Sequence, residues 1–229
     1  ETQEKSKDVF IEKAQENDSQ IHFADKEINC IKTSADFKYN TYEILKDDKL
    51  YIDEIRFPLK GNYQKKNLAT IICALDIIKD KFNISQRHIQ EGLSKVVSNT
   101  GLMGRWQVIG RNPLIVADTG HNVAGINEIT QQLKETDFNT LHFVLSVVND
   151  KDIDGILELL PKYARYYFCK ANIPRGLSVD ILAEKADKAG LKGEAYNSVT
   201  EAYQAARDNA QTDDMVFVGG SNFTVAEVV

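Results

Sequence analysis

The sequence predicts an α/β fold with a mostly parallel sheet, and three observations carry that expectation. From Gly104 onward, short apolar runs alternate with amphipathic stretches, as strands do with the helices that cover them. The run Pro113-Leu114-Ile115-Val116-Ala117 stops abruptly at Asp118-Thr119-Gly120-His121-Asn122, and an amphipathic segment begins at Val123. Open α/β sheets bind ligands just beyond the carboxyl ends of their strands, where helix N-termini offer unpaired N–H groups. Before Gly104 the pattern differs, with short apolar runs and polar turns preceding two helical stretches.

Residues 8–16 read as a helix, with Val9, Phe10 and Ala14 on a partly apolar face. Residues 21–24 read as a short strand. Residues 30–33, 40–45 and 50–57 read as antiparallel strands, the last two joined by the polar turn Lys46-Asp47-Asp48-Lys49. Residues 63–81 read as a long helix carrying Leu68, Ile71, Ile72, Leu75 and Ile78 on one face, and residues 85–97 as a second helix capped by Ser85. The small, polar stretch Ser98-Asn99-Thr100-Gly101 marks a boundary, which divides the chain into residues 1–100 and 101–229. Beyond it, strands are expected at 106–109, 114–117, 141–148, 165–169 and 215–219. Helices are expected at 123–135, 153–160, 179–189 and 199–209.

The composition is that of a globular protein: 229 residues, 42% hydrophobic and 27% charged. A net charge of −6 excludes the broad basic face that nucleic acid requires. It leaves room for a small anion, which a few local Arg or Lys side chains can hold. Cys30, Cys73 and Cys169 form no Cys-x-x-Cys pair and no zinc spacing, and read as buried, reduced thiols of a cytoplasmic protein. No apolar run is long enough to cross a membrane. The opening residues Glu1 to Lys7 are polar and resemble no targeting peptide, so the numbering is expected to start inside a longer chain.

Each candidate site residue has a functional and a plain structural reading, and the residues alone leave both open. Asp118 accepts from sugar hydroxyls while His121 and Asn122 donate to phosphate, or the segment is an ordinary strand-to-helix turn. Arg105, in Gly104-Arg105-Trp106-Gln107, reaches a phosphate across a hinge, or makes a surface ion pair. Gln64 and Asn67, three apart on one helix face, read a purine edge, or belong to a solvated first turn. Lys151, in Asn149-Asp150-Lys151-Asp152, stands on the same rim as Asp118, or decorates a helix start. Arg175, after Pro174, pairs with a substrate carboxylate, or lies on a bare loop. Gly219-Gly220-Ser221 is compact enough for close ligand approach, or is a tight turn. No Walker-type phosphate loop, no Gly-x-Ser-x-Gly elbow and no metal-ligand spacing occurs. What remains is half of a nucleotide site.

Taken in order, these segments resemble the folylpolyglutamate synthase / dihydrofolate synthase branch of the Mur ligase superfamily. The resemblance runs over essentially the whole chain. Glu1-Thr2-Gln3 with Val9-Phe10-Ile11-Glu12 is similar to a segment of the family's central ATPase domain. Leu59 to Asn67 resembles its Gly-x-His-Gln-x-x-Asn-Ala helix start, with Tyr63 in place of the His. Gly104-Arg105-Trp106 followed by Asp118 to Asn122 resembles its Gly-Arg…Asp-x-Ala-His-Asn pair, with Gly120 in place of the Ala.

The resemblance implies that residues 1–100 are the C-terminal portion of a central P-loop-type ATPase domain. Residues 101–229 are then a Rossmann-like C-terminal Mur ligase domain. It implies ligation of L-glutamate to dihydropteroate or folylpolyglutamates, through an acyl phosphate made with ATP. Arg105 would contact phosphates, Asp118 the ribose and Asn67 the adenine. His121 would lie by the phosphates as the catalytic residue, and Lys151 and Arg175 would serve the glutamate. The family's P-loop and Mg2+ ligands lie upstream, so no metal ligand is expected in this chain. The 229 residues alone are expected to be inactive, within a monomeric cytoplasmic parent that binds neither nucleic acid nor membrane. The rival readings are a peptidoglycan-precursor amino-acid ligase of the same superfamily, a nucleotide-binding module without chemistry, and a non-enzymatic interaction domain.

Overall fold

The computed structural model describes residues 2–229, and the chain divides into two compact units, Glu1–Leu102 and Met103–Val229.

The first unit opens with α1 (Lys7–Glu16) and the single turn α2 (Ala24–Glu27). Strands β1 (Ile28–Ala35), β2 (Asn40–Lys46) and β3 (Lys49–Phe57) follow in an antiparallel sheet of order β1-β2-β3. Then come α3 (Gln64–Phe82), α4 (Gln86–Ser94) and α5 (Val96–Thr100). Buried Tyr42, Ile44, Ile52, Ile55 and Phe57 of the sheet pack with Leu68, Ile72 and Cys73 of α3 and Ile89 and Leu93 of α4. Asp47 and Asp48, at φ 49° and 59°, form the tight turn that the polar stretch predicts. Ser85 caps α4: its hydroxyl accepts the His88 N–H, and His88 Nδ1 accepts the Ser85 N–H, both at 3.2 Å.

Two expectations for this unit are corrected. Residues 21–24 form no strand, because the N–H groups of Lys26 and Glu27 bond the Phe23 carbonyl at 2.8 and 3.2 Å and close the helical turn α2. The helix expected over residues 85–97 ends at Ser94. Ser94 Oγ donates to the Glu91 carbonyl at 3.0 Å, the local competition by which Ser interrupts helices, and Lys95 leaves helical geometry at φ −109°, ψ 11°. The chain then re-enters α5, so most of the stretch expected as a linker, Ser98 to Gly101, is helical.

The second unit holds β4 (Gln107–Arg111), β5 (Leu114–Ala117), α6 (Val123–Lys134), β6 (Leu141–Leu145), α7 (Ile153–Leu159), β7 (Arg165–Phe168), α8 (Val179–Lys188), β8 (Gly193–Ala195), α9 (Val199–Asn209), β9 (Met215–Gly219) and α10 (Asn222–Ala226). The six-stranded sheet has order β4-β5-β9-β6-β7-β8; β4 runs antiparallel to β5, and every other pairing is parallel. Alternate residues feed two apolar layers. Val116, Phe143 and Phe217 pack with Ile126 of α6, Ile156 of α7 and Leu182 of α8. Ile115, Val144 and Val218 pack with Val199, Ala202 and Ala206 of α9 and Val225 of α10. Coverage on both faces explains why β6 and β9 are buried at every position.

Candidate functional site

Strands β5, β9, β6 and β7 lie side by side and parallel, so the four loops that leave their carboxyl ends line one rim in that order. The chain passes from β5 to β6 and returns only later to insert β9 between them. A sheet that reverses direction in this way leaves a crevice at the carboxyl ends of its strands.

The first rim loop is tied to the turn before β4. Asp118, 2% exposed, accepts the Trp106 N–H at 2.7 Å on Oδ2 and the Gly120 N–H at 2.8 Å on Oδ1. Trp106 sits in the left-handed region at φ 49°, its ring packed 5.7 Å from that of Phe217. The Thr119 N–H and hydroxyl both donate to the Gly104 carbonyl, at 2.9 and 3.0 Å. Gly104, at φ 68°, passes so close that a Cβ would stand 2.5 Å from Thr119 Cγ2. Between these clamps lies half-buried Arg105, whose guanidinium donates to Thr119 Oγ1 and to the Gly104 carbonyl.

His121 follows on the same loop. Its Nδ1 lies 3.0 Å from the Thr119 carbonyl, which can only accept, so Nδ1 carries the proton. Nε2 is left as the second nitrogen, an acceptor when the ring is neutral and a donor to an anion when the ring is protonated. Asn122 caps α6 by accepting the Gly125 N–H at 2.7 Å. Its carbonyl is therefore structural, and only its amide nitrogen suits a phosphate.

The loops after β6 and β7 are zipped together. Asn149 N–H bonds the Arg175 carbonyl and Leu177 N–H bonds the Val147 carbonyl, each at 3.0 Å. That zipper brings Lys151 and Arg175 together with His121, and the three side chains line one pocket of about 60 Å³ with Val148, Ser221, Asn222 and Phe223. Arg175 lies over the Phe223 ring at 5.0 Å and 3.8 Å from Asp150. The volume suits a carboxylate or a single phosphoryl group, and the cationic lining suits an anion. Gly220, next to the lining residue Ser221, is tightly held: at φ 91°, a Cβ would stand 2.5 Å from the Ser146 carbonyl oxygen. At this rim, the described residues include no group of three His, Cys, Asp or Glu side chains close enough to hold a metal ion.

Among the sequence-predicted residues, Arg105, Asp118, His121, Lys151 and Arg175 all lie on loops at the sheet's carboxyl rim or on the turn tied to it. Asn67 belongs to the other unit. It lies exposed on the first turn of α3, where its amide donates to Gln64 Oε1 at 3.0 Å. Sequence reasoning missed Thr119 as the partner of Arg105, and Phe223 as the ring beneath Arg175. The hydroxyl inside the Asp-Thr-Gly-His-Asn run was the available signal for the first. Nothing in the sequence linked Phe223 to a residue 48 positions before it.

Residues 104–222 match the Mur ligase, glutamate ligase domain. A dihydrofolate synthase/folylpolyglutamate synthase of Escherichia coli is 30% identical over 165 residues, covering 71% of this chain and 37% of the relative. A probable bifunctional folylpolyglutamate synthase/dihydropteroate synthase of Haloferax volcanii is 33% identical over 175 residues, covering 76% of this chain and 20% of the relative. The solved structure of Escherichia coli FolC in complex with DHPP and ADP superposes with a TM-score of 0.78 at 25% identity, over 96% of this chain and 49% of that one. The Mycobacterium tuberculosis folylpolyglutamate synthase complexed with ADP and AMPPCP shares the fold at a TM-score of 0.80 and 23% identity, over 97% of this chain and 51% of that one. The chain thus spans about half the length of these solved structures and less of the two curated relatives. With more than half of its residues matched by that domain and its parallel sheet in place, the chain belongs to the Mur ligase family.

Proposed function

We propose that this chain serves an ATP-dependent carboxylate–amine ligase that joins L-glutamate to dihydropteroate, to folylpolyglutamates, or to both. In this reading residues 1–100 are the C-terminal portion of the central ATPase domain and residues 101–229 the C-terminal Mur ligase domain. The observation that carries it is the convergence of His121, Lys151 and Arg175 on one anion-sized pocket, in a chain whose relatives carry those synthase names.

Formation of an acyl phosphate and its attack by an amine concentrate negative charge on phosphoryl oxygens. A site serves that chemistry by holding donors where charge develops. Arg105, fixed by Thr119 and Gly104, offers a guanidinium to nucleotide phosphates. His121, with Nδ1 held by the Thr119 carbonyl, presents Nε2 to a phosphoryl group and is the residue we assign to catalysis. Lys151 and Arg175 take the glutamate carboxylates, and Asn67 meets the adenine. Asp118 fixes both turns of the rim; at 2% exposure, direct contact with a ribose requires the rim to open. ATP fits this cationic rim. The ligands of an accompanying Mg2+ are expected upstream of this chain; Asp118, whose two oxygens accept backbone N–H groups, is not assigned to it, and no step here is routed through it.

The test is ATP-dependent attachment of labelled L-glutamate to dihydropteroate and to tetrahydrofolate by the polypeptide that carries these residues. His121→Ala is run beside it. Ligation that falls sharply in the variant supports the reading, and the preferred acceptor names the substrate. Absence of ligation with either acceptor rejects it in favour of a precursor ligase or a plain nucleotide-binding module.

A further inference from the structure

The first unit brings together three side chains that no sequence spacing connects. His22 lies in the loop before α2, Glu27 ends α2, and Cys73 stands on the buried face of α3. His22 Nδ1 is 3.1 Å from Glu27 Oε1, Glu27 Oε2 is 4.0 Å from Cys73 Sγ, and all three ligand atoms lie within 4.8 Å of one another. We propose that His22, Glu27 and Cys73 form a site for a borderline divalent transition-metal ion of the zinc class, with an open fourth position.

The donor set points to that class of ion. One imidazole nitrogen, one carboxylate oxygen and one thiolate are ligands that zinc takes, whereas a thiolate is foreign to Mg2+ and Ca2+. The geometry is close to what is needed. Ligand atoms at about 2.0–2.3 Å from a tetrahedral zinc stand roughly 3.3–3.8 Å apart. Glu27 already lies between the other two at 3.1 and 4.0 Å, so closure asks only a small inward movement of His22 and Cys73.

The frame around the ligands is firm on two sides. The Glu27 carbonyl accepts the Asp47 N–H at 3.0 Å, which pins the end of α2 to the turn between β2 and β3. Cys73 is 6% exposed among Leu68, Ile72 and the sheet. The third side is open enough to admit an ion: the His22 and Glu27 side chains are 34% and 30% exposed. A bound cation takes the place of the Cys73 thiol proton. The consequence is a staple between the loop at His22 and α3, 51 residues further on, with one thiol proton released for each ion bound.

The experiment is titration of the untagged, reduced 229-residue chain with Co2+, read by absorbance, followed by displacement with Zn2+. The proposal expects one Co2+ per chain, the thiolate-to-cobalt charge-transfer band and tetrahedral ligand-field bands. It also expects a thermal midpoint raised by Zn2+. Cys73→Ser removes the charge-transfer band. His22→Ala, at a half-exposed position that leaves the core intact, weakens Zn2+ binding by more than about tenfold and cancels the thermal shift. Circular dichroism reports that each variant is folded; if Cys73→Ser is not, His22→Ala decides alone. Absence of a thiolate band in the unaltered chain overturns the proposal. So does a band that persists in Cys73→Ser, or Zn2+ affinity unchanged in His22→Ala.

Discussion

Asp118 and Trp106, twelve residues apart, are joined by a charged hydrogen bond of 2.7 Å from the Trp106 N–H to a carboxylate that is 2% exposed. That bond holds a non-glycine residue in left-handed backbone at φ 49° and so sets the direction in which the neighbouring Arg105 leaves the chain. Asp118→Ala strands the buried Trp106 N–H and the half-buried Gly120 N–H, and is expected to destabilise the second unit by about 2–3 kcal/mol. Urea denaturation followed by Trp106 fluorescence measures this. A change below about 0.5 kcal/mol would show that the carboxylate does not hold the turn.

His121 is only half buried, and its single bond is to a carbonyl of its own loop. His121→Ala is therefore expected to leave the unfolding midpoint unchanged while kcat/KM for glutamate ligation falls by at least about tenfold. An unaltered rate would remove His121 from the reaction.

Two glycines of the rim should respond differently to alanine. Gly220→Ala combines φ 91° with a backbone oxygen 2.5 Å from the new Cβ, and about 2–3 kcal/mol of stability should be lost. At Gly120 the nearest atom is the tip of Ile129, also at 2.5 Å, and that side chain can turn; about 1 kcal/mol is expected. Thermal melts of the two variants rank them, and equal losses would contradict the geometry.

His142 is fully buried on β6, with Nδ1 2.8 Å from the Tyr167 hydroxyl and Nε2 3.4 Å from Asp214 Oδ2. Burial lowers its pKa below the ordinary value, and Asp214 only partly opposes this. The fold thus favours the neutral ring. As pH falls below about 6.5 the unfolded chain takes up a proton that the folded chain refuses, so stability drops with falling pH in that window. For Asp214 burial alone would raise the pKa, but the N–H groups of Gln211 and Thr140 outweigh it and lower it. Its contribution is lost only in more acid solution, below about pH 4. Stability measured between pH 8 and pH 5 should slope downward in the unaltered chain and flatten in His142→Phe. Parallel slopes would assign the pH dependence elsewhere.

The sequence of 229 residues carries no Gly-x-x-x-x-Gly-Lys-Ser/Thr motif. Neither ATP hydrolysis nor glutamate ligation is expected from the isolated chain. Turnover by a pure preparation would show that the residues described here complete a site by themselves.

The alternation of the second unit was legible because its strands are covered on both faces. Leu114 to Ala117 and Met215 to Gly219 are unbroken apolar runs, bounded by Pro113 and Asp118 and by Asp214 and Gly220. Strand β8 was not legible: Gly193-Glu194-Ala195 is exposed throughout and carries no apolar alternation. Helix α10, five residues long, is too short to show a period. Residues 21–24 misled because Ile21 and Phe23 alternate as strand residues do, while the backbone of Phe23 instead closes the turn of α2. At the rim, residue types marked His121 and Arg105 as candidates. They were silent on direction, and only coordinates show that Asp118 points inward to backbone N–H groups. The union of His22, Glu27 and Cys73 was invisible for the same reason, since it depends on how α3 crosses the sheet.

Strand β9 is the last strand of the sheet to leave the ribosome, yet it is the third of six across the sheet, seated between β5 and β6. Until residues 215–219 are made, the two halves of the parallel sheet have no edge in common, and the rim loops they carry cannot meet. Assembly of the second unit is therefore a late, non-local event in the life of the nascent chain, of the kind that folds slowly. A stop codon between Leu145 and Met215 would release two unpaired strand edges, a substrate for chaperones and proteases rather than a shortened enzyme.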